Sequence, residues 1–119
     1  MASRVVTLYG FRSCDMVRNA MKWLTANDVA FDFVDYRRES LDPAIVDDWF
    51  ARAGWETVFN RNSTAFRELS ESDKTRLDAT RARQLILAET NLIKRPVLDL
   101  GDALLFGFNV DKWAAELGK

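Results

Sequence analysis

The sequence predicts an α/β protein with a mixed sheet, in the order β-α-β, helical insertion, β-β-α. Three observations predict it. A strand-like run from Val5 to Tyr9 is followed by a stretch of helical period and then by a second strand-like run, Phe31 to Tyr36. So short a crossover favours a parallel, right-handed pairing of the two strands. Toward the other end, Val97 to Leu100 and Ala103 to Phe106 flank Gly101-Asp102, which is the pattern of a β-hairpin. Between these two parts, residues 41–91 carry helical signals and read as an insertion, so the 119 residues suit one compact domain.

Each element has its own warrant. Val5 to Tyr9 is β-branched and aromatic, and Gly10 ends it with a turn. From Cys14 the period changes. Val17, Ala20, Met21 and Leu24 fall at i, i+3, i+4 and i+7, one face of a helix that Asn27-Asp28 ends. Asp42-Pro43 opens the next helix, with Asp as N-cap and Pro in the first turn, and Gly54 stops it. Residues 55–63 read as a turn-rich connection because of Asn60-Arg61-Asn62-Ser63. Thr64 to Leu69, Ser72 to Leu77 and Thr80 to Glu89 read as three short helices, the last with Leu85 and Ile86 turned inward. Asn109 is the expected N-cap of a final helix that runs through Leu117.

Composition excludes several classes of function. The 17 basic and 18 acidic residues nearly balance, so no global basic field points to nucleic acid. Apolar runs such as Leu104-Leu105-Phe106 are too short to span a bilayer. No secretory signal is read in the N-terminal residues, and a lone cysteine cannot form an internal disulfide, so a cytoplasmic protein is expected. The chain has no histidine. Ser-His-Asp and Cys-His catalysis are therefore excluded, as are His-containing zinc sites, and no metal is expected. The four tryptophans read as packing residues, and the tract Lys74 to Arg83 as a solvated helix face with mixed charges.

The one cysteine, Cys14, lies in Y-G-F-R-S-C-D-M-V-R-N-A, residues 9–20, between Arg12 and Arg18. It falls where the first strand's loop meets the start of a helix. Free backbone N–H groups there carry partial positive charge and favour a thiolate, the nucleophilic form. Arg12 and Arg18 can add to that potential, or can be solvated charges and nothing more. The position also suits a half-buried structural cysteine.

Five stretches carry a resemblance that covers essentially the whole chain. They are residues 9–24 (YGFRSCDMVRNAMKWL), 54–61 (GWETVFNR), 63–69 (STAFREL), 93–98 (IKRPVL) and 105–108 (LFGF). Together they resemble the arsenate-reductase-like ArsC/Spx family, in particular its YffB-type branch. The resemblance implies a thioredoxin-like fold with Cys14 as the catalytic thiol. It implies that Arg95 faces the thiol and binds an oxyanion or carboxylate, and that Pro96 follows a cis bond. An arginine near the entry to the helical insertion also serves arsenate reductases, and Arg61 is the nearest match. Arg95 also has a plain reading, as an ordinary residue at the start of a strand.

Two departures shape the functional expectation. Arsenate reductases of this group carry a further arginine where this chain reads Gly107-Phe108-Asn109, and Phe108 cannot hold an oxyanion as a cation would. Spx-type regulators commonly carry Cys-x-x-Cys, whereas position 17 here is Val, so no internal redox switch can form. The expectation is a monothiol reductase that uses glutathione as co-substrate, with Cys14 as nucleophile and Arg95, Arg61, Arg12, Arg18 and Pro96 around the substrate. The alternatives are a non-catalytic Spx-like module that binds a protein, and an arsenate reductase. Expected partners are glutathione or another thiol or disulfide, with a protein partner in the rival reading. No nucleic acid, membrane or second copy of the chain is expected.

Overall fold

The computed structural model describes residues 5–119. Met1–Arg4, read as leading straight into the first strand, lie outside them. The chain divides into two compact units, Met1–Glu39 with Arg95–Lys119, and Ser40–Lys94.

The first unit holds a four-stranded sheet in the order β2-β1-β3-β4. Strand β1 is Val6–Gly10, β2 is Phe31–Asp35, β3 is Val97–Asp99 and β4 is Leu104–Phe106. β1 pairs parallel with β2 and antiparallel with β3, and β3 pairs antiparallel with β4. The expected mixed sheet is present. Register explains its core, because Phe33, Leu8, Leu98 and Leu105 lie opposite one another in turn across the sheet. Alternate residues of a strand face opposite sides, so this row projects from one face. Against it pack Ala20 and Leu24 of helix α1 (Asp15–Ala26) and Trp113 of helix α7 (Val110–Leu117).

Helix boundaries follow local chemistry. In α1, Val17, Ala20 and Leu24 are buried, as their spacing predicts. The chain leaves α1 through Asn27 and through Asp28 at a φ of 59°. Asn109 caps α7 by accepting from the Lys112 N–H at 3.0 Å. Gly10 has a different reason from the one its sequence context suggests. It is the last residue of β1, and a Cβ there would meet Val17 Cγ2 at 2.7 Å. Its missing side chain lets α1 come close to the strand end.

The second unit is helical. Helix α2 (Pro43–Ala53) starts as predicted, with Asp42 accepting from the Ala44 N–H at 2.9 Å, and ends at Gly54 with a φ of 87°. The connection read at 55–63 is corrected, since α3 (Trp55–Val58) occupies its first part and Phe59 forms a bridge with Ile93. Helices α4 (Thr64–Arg67), α5 (Glu71–Thr75) and α6 (Ala79–Ala88) correspond to the three short helices expected. Ser63, Ser70 and Asp78 cap them. A 3-10 turn at Thr90–Leu92, not foreseen, follows α6. Trp49, Val46 and Ile86 are fully buried in this unit. Among the described residues, no helix is long and apolar enough to cross a membrane.

Candidate functional site

Cys14 is the N-cap of α1, partly buried, with extended backbone at φ −87° and ψ 122°. Its thiol makes no capping hydrogen bond. The thiolate is another matter. Burial pushes the Cys14 pKa up, but the Val17 amide, the Arg95 guanidinium and the Met16 amide outweigh it and hold the pKa below its ordinary value. These are the free N–H groups of the helix start together with one cation, the arrangement that activates a thiol.

The loop that presents Cys14 is tied at several points. The Cys14 N–H donates to the Phe11 carbonyl at 3.1 Å. The Arg12 N–H donates to Asp35 Oδ2 at 3.2 Å, which fastens the loop to the end of β2. Arg37 lies over the Phe11 ring, 3.7 Å from its centroid, and reaches Ser13 Oγ at 3.4 Å. Arg95 covers the same ring at 4.6 Å. Two guanidiniums thus share one aromatic ring, and Arg95 is the one that acts on the thiol.

The other residues singled out by sequence are placed as follows. The Arg95–Pro96 peptide bond is cis, and the Pro96 carbonyl accepts from the Gly107 N–H at 2.9 Å. Arg12 lies over the Phe33 ring at 5.1 Å. Arg18 is ion-paired with Asp15 and donates to the Arg12 carbonyl at 3.0 Å, so its guanidinium braces the loop. Arg61 belongs to the helical unit, 5.6 Å from the centroid of the Trp55 ring. The first unit thus brings Cys14 and Arg95 together. Phe108 is turned onto Trp23 and Trp113, with centroids 6.3 and 4.9 Å away, and packs against the core.

Two neighbours of the site escape the sequence reading. Asp35, 9% exposed, accepts from three backbone N–H groups, those of Arg12, Arg37 at 3.0 Å and Arg38 at 3.4 Å. Burial pushes its pKa up, but these amides and the Arg38 charge outweigh it and hold the carboxyl below its usual range. A signal for Asp35 exists in the sequence, because an Asp that ends a strand commonly bonds the amide two residues on. Tyr36 is 4% exposed and packs edge-on against Phe11 at 5.9 Å. Nothing in its sequence context marks it.

Asp35 gives a pH prediction. Its folded pKa lies below the unfolded value of about 3.9, so its stabilisation is fully present above that value. It is lost as pH falls through the folded pKa. Asp35→Ala should lower the unfolding free energy at pH 7 by about 1–3 kcal/mol, since three amides lose their acceptor. The gap from wild type should narrow below about pH 4. Urea unfolding at stepped pH checks this, and a gap that stays constant down to acid pH would show that the carboxylate's charge is irrelevant.

Among the described residues, no group of three or more His, Cys, Asp or Glu side chains could hold a metal ion. Comparison with known proteins matches residues 9–115 to the ArsC family. A solved structure of a YffB protein is 45% identical, with a TM-score of 0.88, covering 94% of this chain and 98% of that one. An uncharacterized protein of Haemophilus influenzae is 34% identical over 111 residues, covering 93% of this chain and 97% of the relative. The global transcriptional regulator Spx of Streptococcus mutans is 28% identical over 115 residues, covering 95% of this chain and 83% of the regulator. A glutaredoxin of Archaeoglobus fulgidus, at 16% identity and a TM-score of 0.52 over 96% of this chain and 85% of that one, shares the fold. The chain therefore has a thioredoxin-like fold and belongs to the ArsC family.

Proposed function

We propose that the protein is a monothiol reductase that uses glutathione, with Cys14 as its nucleophile. The observation that carries the reading is the single thiol at the start of α1, favoured as thiolate by the helix amides and Arg95. The Cys14 thiolate attacks a glutathione mixed disulfide of the substrate. A Cys14–glutathione disulfide forms, the substrate's S–S bond breaks, and its thiolate leaves and takes a proton from solvent. A glutathione thiolate then attacks that disulfide, freeing Cys14 and releasing oxidised glutathione. The chain has one cysteine, so the second thiol must be external. Arg95 holds the anionic group of glutathione or substrate by charge-assisted hydrogen bonds. The reaction would take place in the cytoplasm, where reduced glutathione is abundant.

Similarity to the Spx regulator favours a second reading, a module that docks on a protein without turnover. Arsenate reduction is not proposed, because Phe108 occupies the place where the resemblance calls for a further cation and packs on Trp23 and Trp113. Mass spectrometry separates the two readings. After incubation with oxidised glutathione, the wild type should carry one glutathionyl group, removable by reduced glutathione, and Cys14→Ser should carry none. A wild type that stays unmodified would leave the docking module as the better account.

A further inference from the structure

The hydroxyl of Tyr36 is fully buried and has no hydrogen-bond partner among the described residues. A buried orphan of this kind is rare in proteins, because the lost hydration is not replaced. The ring itself is well fixed, edge-on against Phe11, the same ring that carries the guanidiniums of Arg95 and Arg37. Burial is the largest influence on the hydroxyl and pushes its pKa far above the usual tyrosine value. Of the charges acting on it, Arg95 has the largest effect and Cys14 the next. The group is therefore a neutral O–H donor that shares the Phe11 ring with Arg95 and has no acceptor among the described residues.

We propose that the Tyr36 hydroxyl is a binding residue, a donor held for an anionic oxygen of the ligand that engages Arg95 next to Cys14. The inference rests on the reading of Cys14 and Arg95 as the ligand site, and adds to it a neutral donor. A guanidinium and a phenol together suit a carboxylate or a sulfate-like oxyanion, since each donates and neither competes for the same proton. Because the hydroxyl is shielded in the free state, binding must move a side chain. Arg95, whose guanidinium lies over Phe11, is the group the ligand would turn. The orphan then gains its partner only in the complex.

Tyr36→Phe tests this, since it keeps the ring against Phe11 and removes only the oxygen. The probes are S-methylglutathione, which cannot exchange, and inorganic sulfate in a parallel arm. Each is read by how far it slows iodoacetamide alkylation of Cys14. Wild type should be protected, and Tyr36→Phe should bind the effective probe about tenfold or more weakly, the usual loss for a hydrogen bond to a charged group. Protection by sulfate and by S-methylglutathione would point to an oxyanion subsite. Protection by S-methylglutathione alone would point to the peptide carboxylates. In the absence of probe the melting temperature should stay the same or rise, because a buried orphan has gone.

Equal affinity in the two proteins would overturn the role of Tyr36 while leaving the site intact. A clear drop in melting temperature would overturn it too, because the hydroxyl would then have a structural partner. A wild type that neither probe protects would overturn the anion site and Tyr36's role with it. Protection without glutathionylation would leave the Tyr36 role standing and remove only the redox reading.

Discussion

Trp113→Ala should lower the unfolding free energy by about 3–5 kcal/mol, the range for deleting a fully buried large aromatic. Trp113 is 0% exposed. Its ring meets Trp23 edge-on at 6.2 Å and Phe108 at 4.9 Å, and its indole N–H donates to the Gly107 carbonyl at 3.1 Å. It also packs with Leu8, Leu98 and Leu105 of the sheet. Truncation therefore leaves a cavity between α7 and the sheet and orphans the Gly107 carbonyl. Trp113→Phe should lose much less, because it fills most of that space. Urea unfolding is the measurement, with the midpoint moving and the slope unchanged. A loss below about 1 kcal/mol would mean that Trp23 and Phe108 collapse into the space.

The elements that sequence made legible are those whose signal is local. The i, i+3, i+4, i+7 spacing of Val17, Ala20, Met21 and Leu24 defined α1, and three of the four are buried. Asp42 and Asn109 could be named as caps because capping is a short-range hydrogen bond. Helix α3 was not legible. Four residues carry no period, and Gly54 both ends α2 and begins α3. The antiparallel contact of β1 with β3 was silent for a different reason. It joins residues far apart in sequence, and nothing local to Thr7 or Asp99 encodes the partner.

The candidate site divides in the same way. Cys14 was visible from its place between a strand and a helix, and Arg95 through the family resemblance carried in part by residues 93–98. For Arg18 the sequence left two readings open, a charge that adds to the potential at the thiol and a solvated charge. In the structure Asp15, three residues away on the same helix, pairs with it. Tyr36 was illegible because an unpartnered hydroxyl is a property of three-dimensional surroundings. A tyrosine at a strand end reads as ordinary packing until its oxygen is seen to have no acceptor.

Arg95→Ala should raise the thiol pKa of Cys14 and weaken binding of glutathione or sulfate together. Arg95 acts on the thiolate in two ways, by a side-chain hydrogen bond and by its charge, while burial acts in the opposite sense. Removing Arg95 leaves burial opposed only by the helix amides. The inflection of alkylation rate against pH should therefore move upward. For the ligand, a lost charge-assisted hydrogen bond is worth roughly 1.5–3 kcal/mol, or about tenfold to hundredfold in affinity. Arg95→Lys separates the two effects. Lysine keeps the charge but not the planar fork, so it should restore the thiol inflection more fully than the affinity. The cation over Phe11 would not be missed for stability, because Arg37 lies on the same ring at 3.7 Å. Thiol titration and calorimetric binding on the three proteins decide the matter. If Arg95→Ala keeps both the wild-type inflection and the wild-type affinity while folded, the helix amides alone activate Cys14, and the anion must be held by another residue of that loop.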